Sequence, residues 1–212
     1  KEDSAIKHFN DALEIDPDNT DALIGAGIFL VRRQPDNALK YFNKALEIDP
    51  DNAIAHNGSG MILYGMCKEG EAVKHFNEVI RIKPDDIKAH EYLGDIMLRK
   101  GNMDEAIEHY VKVLNIDSRQ PEVYNNLGTA YIHKGNIRKA IGYFQKSLQE
   151  KPDYAEAAEN LRYARINQNK LEDTALRLQD LIKTDPRNPA LLTRLGNVYR
   201  QLGDYGEAIS QY

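Results

Sequence analysis

The chain has 212 residues, of which 42% are hydrophobic and 29% are charged. This composition is typical of ordered, helix-rich proteins and excludes the disordered and collagen-like classes. The 28 basic and 33 acidic residues give a net charge of -5 and form no basic block, so the chain lacks the positive stripe by which proteins bind nucleic acid.

The sequence carries few signals of compartment. Its single cysteine, Cys67, has no partner for an internal disulfide, which favours the cytoplasm and leaves the extracytoplasmic side of a membrane open. No apolar run reaches the roughly 20 residues that cross a bilayer, so we expect no membrane insertion by this part of the protein.

Four residue types recur along the chain at intervals of 33 or 34 residues, or of 68 residues where one repeat lacks the residue. The prolines are Pro17, Pro50, Pro84, Pro152 and Pro186. The glycines are Gly27, Gly60, Gly94, Gly128 and Gly196, and the alanines are Ala5, Ala38, Ala72, Ala106, Ala140 and Ala208. The aromatic residues are Phe9, Phe42, Phe76, Tyr110, Phe144 and Tyr212. A period of this length predicts an array of helix-turn-helix repeats.

In chain order, these columns predict a single array. A partial repeat, consisting of its second helix, comes first, then five complete repeats and a second partial repeat: 1–19, 20–52, 53–86, 87–120, 121–154, 155–188 and 189–212. The small residues allow the two helices of a repeat to approach closely, and the aromatic residue fills the space beside them. Because the chain lacks an initiating methionine and stops inside a repeat, we interpret it as a fragment of a longer protein.

Local signals predict where the helices begin and end. The Asn or Asp that follows each proline can cap the next first helix, and Pro35 is expected in the first turn of a second helix. Gly101, Gly135 and Gly203 predict left-handed residues that end first helices.

The repeat at 155–188 departs most from the pattern. Arg162 replaces the small residue, Leu178 replaces the aromatic one, and Asn169 stands where glycine is usual. We expect a loosely packed helix pair with Asn169 in the left-handed turn. Whether this segment is a degenerate repeat or a flexible joint stays open.

The best unit is Tyr124-Asn-Asn-Leu-Gly-Thr-Ala-Tyr131, followed by Gly135, Ala140, Phe144 and Pro152. It resembles the tetratricopeptide repeat family, and the resemblance covers the whole chain. The resemblance implies an all-α fold, a right-handed superhelical α-solenoid of antiparallel helix pairs. It also implies a non-catalytic scaffold that binds a protein or peptide in a concave groove lined by the first helices.

The resemblance also indicates which residues of the first helices face the groove. In the repeats from 20 to 86 these positions are mainly apolar and include Ile54. We expect the partner-binding residues to be Ile24, Ile28, Asn57, Met61, Tyr64, Glu91, Tyr92, Asp95, Asn125, Asn126, Glu159, Asn160 and Arg194. Our hypothesis is an apolar anchor at Ile24, Ile28, Met61 and Tyr64, with Glu91, Asp95, Glu122 and Glu159 favouring basic partner residues. The alternative is that the apolar residues only cover an array end.

Two further functions stay open at this point. Asn126 and Asn160 resemble the start of the asparagine ladder of O-linked N-acetylglucosamine transferases, which would make the chain a targeting domain of a larger enzyme. Self-association through exposed array ends would make it an assembly module. The family's carboxylate clamp for chaperone tails is incomplete, because Ala190 stands where a lysine is needed.

We predict no enzyme activity, cofactor or metal site. The six histidines follow the repeat period, with His8, His75 and His109 at one position and His56 and His90 at another. Their spacing therefore reflects helix periodicity rather than ligand geometry. No histidine lies at a spacing from Cys67 that suggests a catalytic dyad.

Overall fold

The computed structural model describes residues 2–210, with the side chains of residues 5–208. Tyr212, the last member of the aromatic column, lies outside the described residues. The described part is all-α and contains twelve helices and no strand. The helices are α1 (Glu2–Ile15), α2 (Thr20–Leu30), α3 (Pro35–Ile48), α4 (Ala53–Gly65), α5 (Glu69–Ile82), α6 (Ile87–Lys100), α7 (Met103–Ile116), α8 (Pro121–His133), α9 (Ile137–Glu150), α10 (Ala155–Thr184), α11 (Pro189–Leu202) and α12 (Tyr205–Ser210).

The chain packs as two compact units, Lys1–Ile96 and Met97–Tyr212. In the first unit, successive helices from α1 to α5 pack on one another as antiparallel neighbours, and the α6 residues Ala89, Leu93 and Ile96 complete a core with Phe76. In the second unit, α7 packs on α8, α8 on α9, α9 on α10 and α10 on α11. Helical pairing between chain neighbours is the packing that the repeat period predicts.

Asparagine and aspartate side chains cap α2, α4, α6 and α11, as the sequence predicts. The residues before α8 and α10, Gln120 and Tyr154, form no side-chain cap. The Asn19 Oδ1 atom accepts a hydrogen bond from the Ala22 amide at 2.9 Å, and Asn52 Oδ1 accepts one from the Ala55 amide at 3.1 Å. Asp86 does the same for Ala89 at 2.9 Å. Each cap satisfies an amide that lacks a partner inside the helix. Pro35 is the first residue of α3, which confirms that prediction.

Left-handed residues end several first helices. Gly101, Gly135 and Gly203 have φ angles of +83°, +68° and +88°, which confirms the prediction made for them. Cys67 occupies the equivalent turn with a φ of +59°, a conformation that costs a non-glycine residue about 1–2 kcal/mol. The sequence did not indicate this role for Cys67.

The packing of Phe42 shows why glycine recurs at fixed positions of the first helices. Its ring is fully buried, and it lies between Gly27 of α2 and Gly58 of α4. A Cβ atom on Gly27 would lie 2.7 Å from the ring, and one on Gly58 would collide with it. Gly58 therefore makes room for the aromatic side chain of the preceding repeat rather than for a ligand.

The predicted helix pair at 155–188 is wrong. α10 is one helix of 30 residues, about 45 Å long at 1.5 Å per residue. Asn169 lies inside this helix, and its φ is not positive. Without glycine or proline between residues 155 and 184, nothing in the backbone favours a turn over continued helix.

The long helix changes the packing of its neighbours. Its Ala164 and Leu178 share one core with Phe144 of α9 and Leu195 of α11, while Arg162 is exposed and pairs with Glu159 at 2.5 Å. Since α11 returns along the second half of α10, it brings Gly203 against Asn136 in the turn before α9. The second unit therefore departs from regular repeat stacking.

Candidate partner-binding cleft

A surface cleft of about 570 Å³ lies between α2 and α4 in the first unit. Its walls include Ile28 of α2 and Ile54, Asn57 and Met61 of α4. Lys83 and Asp86, which precede α6, also line it. We call this space the α2–α4 cleft.

The cleft is apolar where its two helices meet. Ile28, Ile54 and Met61 are 57%, 51% and 39% exposed. They are exposed because the opposite faces of the same helices fill the core, with residues such as Leu23 and Ile62 almost completely buried. Three large apolar side chains that share one concave site are typical of a binding surface.

Polar groups lie beside the apolar side chains. The Asn57 Oδ1 atom is buried and has no hydrogen-bond partner, although the residue as a whole is half-exposed. Arg32 and Arg33 line the rim at the end of α2, and the Arg33 guanidinium lies 4.7 Å from the centre of the Phe29 ring. The cleft thus offers an apolar centre with hydrogen-bonding and basic groups around it.

Four of the predicted residues in the first unit already contact other side chains of the chain. Ile24 is only 8% exposed and belongs to the core, so we remove it from the site. Tyr92 stacks on Phe76 at 4.9 Å, and Tyr64 meets Tyr92 edge-on at 5.1 Å. Burial raises the pKa of Tyr92. Glu91 pairs with Lys88 at 2.6 Å.

The remaining prediction in the first unit is Asp95. Its side chain is half-buried, and it is not among the residues that line the α2–α4 cleft. Of the predicted residues in this unit, the structure therefore brings together Ile28, Asn57 and Met61.

The predicted residues of the second unit form a hydrogen-bonded group rather than an open ladder. Asn125 is completely buried. It accepts a hydrogen bond from Asn160 Nδ2 at 2.9 Å and donates one to Glu156 Oε1 at 3.0 Å. Asn125 is therefore unavailable to a partner, since it joins α8 to α10. Asn126 is half-buried.

The two charged predictions of the second unit lie at the surface. Glu159 is exposed and paired with Arg162, and Arg194 is exposed. Neither residue is among those that line the α2–α4 cleft.

The sequence pattern did not indicate the basic rim of the α2–α4 cleft. Arg32 and Arg33 precede Pro35 in the shortened loop of the first complete repeat. The signal that could have indicated this rim is the pair of adjacent arginines in a short loop. A short loop keeps its side chains close to the end of the preceding helix.

Sequence profiles of one family match most of the chain. Four profiles described as "Tetratricopeptide repeat" match residues 3–53, 30–96, 121–154 and 178–210, and one described as "TPR repeat" matches 94–135. The chain belongs to the tetratricopeptide repeat (TPR) family. The matched ranges leave residues 155–177 uncovered, which is the part of α10 that replaces a regular TPR turn.

Solved TPR structures share the fold. A crystal structure of MamA is 26% identical, with a TM-score of 0.67, over 73% of this chain and 91% of MamA. YrrB, described as "a TPR protein with an unusual peptide-binding site", is 24% identical, with a TM-score of 0.67, over 74% of this chain and 82% of YrrB. PilF of Pseudomonas aeruginosa is 20% identical, with a TM-score of 0.62, over 91% of this chain and 88% of PilF. A search of curated proteins found no match.

Among the described side chains, no group of three or more histidine, cysteine, aspartate or glutamate residues could hold a metal ion. None of the helices in residues 2–210 combines the length and apolar character needed to cross a membrane.

Two TPR histidines share a hydrogen bond in the first unit. The His56 Nε2 atom lies 3.0 Å from the carbonyl oxygen of Pro50, which only accepts, so Nε2 carries the hydrogen. His56 Nδ1 is then the acceptor for His75 Nδ1–H, at 2.9 Å. Only protonation of both rings would place two donors face to face, so the hydrogen bond disfavours the doubly charged pair.

This pair predicts that acid weakens the fold. Burial, and then the charge of His56, lower the pKa of His75 below its ordinary 6.5, while Glu71 and Glu78 oppose the shift. As the pH falls below about 6.5, the unfolded chain binds a proton that the folded ring resists, so the free energy of unfolding decreases. Urea unfolding should show a larger loss of stability from pH 7.5 to 5 in the wild type than in His75→Gln. Equal losses would contradict the assignment.

Proposed function

We propose that this TPR protein is a non-catalytic scaffold that binds a helix or an extended segment of a partner protein in the α2–α4 cleft. One observation carries the proposal: Ile28, Ile54 and Met61 expose apolar surface into a single concave site. The peptide-binding description of YrrB agrees with this kind of function for a TPR fold.

The apolar surface that a partner could cover in the cleft is large enough for an anchor but too small for a complete binding site. Covering three side chains that are already part-buried would contribute on the order of 3–5 kcal/mol. Micromolar affinity needs about 8 kcal/mol, and association also costs entropy. Contacts beyond the apolar centre must supply the rest, and Asn57, Arg32 and Arg33 are placed to make them.

The predicted preference for basic partner residues has less support. Glu91, Glu122 and Glu159 already pair with Lys88, Lys151 and Arg162. Exposed pairs of this kind contribute about 0–1 kcal/mol, so a basic segment would exchange one weak pair for another. The apolar cleft, rather than these carboxylates, is the basis of the proposal.

The two alternative functions gain no support from the side-chain contacts. The asparagine ladder of a glycosyltransferase targeting domain would need Asn126 and Asn160, and Asn160 already donates a hydrogen bond to Asn125. Self-association through the exposed array ends stays a separate proposal.

The test is a selection of random peptides on the immobilised protein. We expect Met61→Glu to abolish the enrichment of peptides with apolar residues, because a charge in the cleft would have to lose its water on binding. Ile48→Glu is the matched control, since Ile48 is 41% exposed and does not line the cleft. If Met61→Glu selected the same peptides as Ile48→Glu and the wild type, the α2–α4 cleft would not be the binding site.

A further inference from the structure

A second cleft, of about 550 Å³, lies within the second unit. Its walls come from three places: the end of α8 and the turn after it, the middle of α10, and the last turn of α11. We call it the α8–α10–α11 cleft. None of the partner-binding residues named from the sequence lines it, although Tyr163, Asn167 and Arg200 lie at first-helix positions that the TPR resemblance places in the groove.

The fused helix creates this cleft. Had the chain turned at Asn169, as the repeat pattern predicts, residues 170 and 171 would belong to a loop. Because α10 continues, Lys170 and Leu171 form one wall beside Gly135 and Ile137. The return of α11 along α10 then places Arg200 and Gln201 on the other side. The site is therefore specific to this departure from regular TPR stacking.

The charges that line the cleft have one sign. His133, Lys134, Lys170 and Arg200 line it, and no aspartate or glutamate is among the lining residues. Lys134 pairs with Asp104. Lys170 and Arg200 form no ion pair among the described residues.

The acidic residues near the cleft are already engaged. Arg138 binds both Glu172, at 3.4 Å, and Asp204. These two carboxylates lie close in sequence to Lys170 and Arg200. Arg138 thus leaves the two basic side chains available for a charge from outside the chain.

An apolar surface accompanies the basic groups. Tyr163 is 59% exposed, and Leu171 and Ile132 are half-buried at the same cleft. An exposed tyrosine beside unpaired basic side chains is a combination common at protein interfaces.

We propose that the α8–α10–α11 cleft binds an extended segment of a partner protein that carries at least two carboxylates next to an apolar residue. Lys170 and Arg200 receive the carboxylates, and Tyr163 and Leu171 contact the apolar residue. This site is separate from the α2–α4 cleft and differs in ligand chemistry. The net charge of -5 disfavours a long polyanion such as nucleic acid, whereas a short acidic segment contacts only the basic cleft.

A simpler role exists for two of the four basic residues. His133 and Arg200 lie in the last turns of α8 and α11, where a positive charge interacts favourably with the helix dipole. Lys170 lies in the middle of α10, where no such effect operates. The experiment therefore has to include Lys170 and must separate binding from stability.

The test is a selection from a display library of random peptides of about a dozen residues, on the whole chain and on Lys170→Glu plus Arg200→Glu. Wild type should enrich peptides with two or more acidic residues, and the double variant should not. For a peptide so enriched, fluorescence anisotropy should show affinity at least about fivefold weaker in the double variant, and binding that weakens as salt is added.

Controls separate charge from folding. Arg177→Glu plus Arg187→Glu changes the net charge equally at exposed positions outside the cleft and should keep the acidic enrichment. Lys170→Gln plus Arg200→Gln should lose the acidic enrichment while the protein stays folded, with at most a small decrease in melting temperature from the lost helix-dipole interaction of Arg200. Met61→Glu should keep the acidic enrichment. Equal acidic enrichment in wild type and both cleft variants would overturn the proposal. Equal binding of a single-stranded DNA of matched charge would also overturn it, since the cleft would then take any polyanion.

Discussion

Phe42→Ala is expected to lower the free energy of unfolding of the first unit by about 3–5 kcal/mol. The Phe42 ring is completely buried between Gly27 and Gly58, so its removal leaves a cavity that two glycines without side chains cannot fill. Urea unfolding followed by circular dichroism measures the change.

Ile48→Ala is the control for this effect. Ile48 is 41% exposed on the helix that carries Phe42, and its replacement should cost less than about 1 kcal/mol. A loss in Phe42→Ala as small as that in Ile48→Ala would contradict the packing of α2, α3 and α4 around this ring.

Asn169→Pro is expected to cost the second unit about 3 kcal/mol or more. Proline at the middle of α10 removes one helical hydrogen bond and collides with the preceding turn. One hydrophobic core joins α9, α10 and α11, so a break in α10 should also weaken the packing of α9 and α11. Thermal and urea unfolding would report the loss.

Two further substitutions decide whether residue 169 is helical. In a helix interior, Asn169→Ala should stabilise by a few tenths of a kcal/mol and Asn169→Gly should destabilise. In a left-handed turn, the two signs would be reversed. Gly135→Ala provides the reference, because Gly135 has a φ of +68° and alanine there must destabilise. The reversed signs at residue 169 would restore the regular repeat that the sequence predicts.

Much of the fold could be predicted because each repeat packs its helices through the same kind of contact. Gly27 is required by Phe42, and Gly128 by Phe144, so residues far apart in sequence recur with the period of the contacts. Caps such as Asn19 and Asn52 are equally predictable, because they act within three residues of their own position.

The wrong prediction of a turn within α10 has a physical cause. The period predicts a turn at residue 169, but the segment contains no glycine to close the first helix in a left-handed conformation. Asparagine tolerates that conformation without requiring it. The choice between turn and continued helix depends on the core formed with α9 and α11, which no local pattern reports.

The candidate site could be predicted only as a helix face. Periodicity indicates that Ile24 and Ile28 lie one turn apart, but the core of the first unit buries Ile24 and leaves Ile28 exposed. Tyr64 likewise meets Tyr92 edge-on, a contact set by the neighbouring repeat. Side-chain burial at the edge of a face depends on such neighbours. The sequence therefore indicates the helices that line the α2–α4 cleft but only some of the residues that do so.

The most direct test of the binding site is methyl NMR of the protein labelled at isoleucine δ1 and methionine ε positions, titrated with a peptide selected on the wild type for apolar residues. We expect the methyl signals of Ile28, Ile54 and Met61 to shift together and to saturate at one affinity, while the signal of Ile48 stays in place. Saturating shifts at Ile48, with no change at Ile28, Ile54 and Met61, would contradict the assignment of the α2–α4 cleft as the partner-binding site.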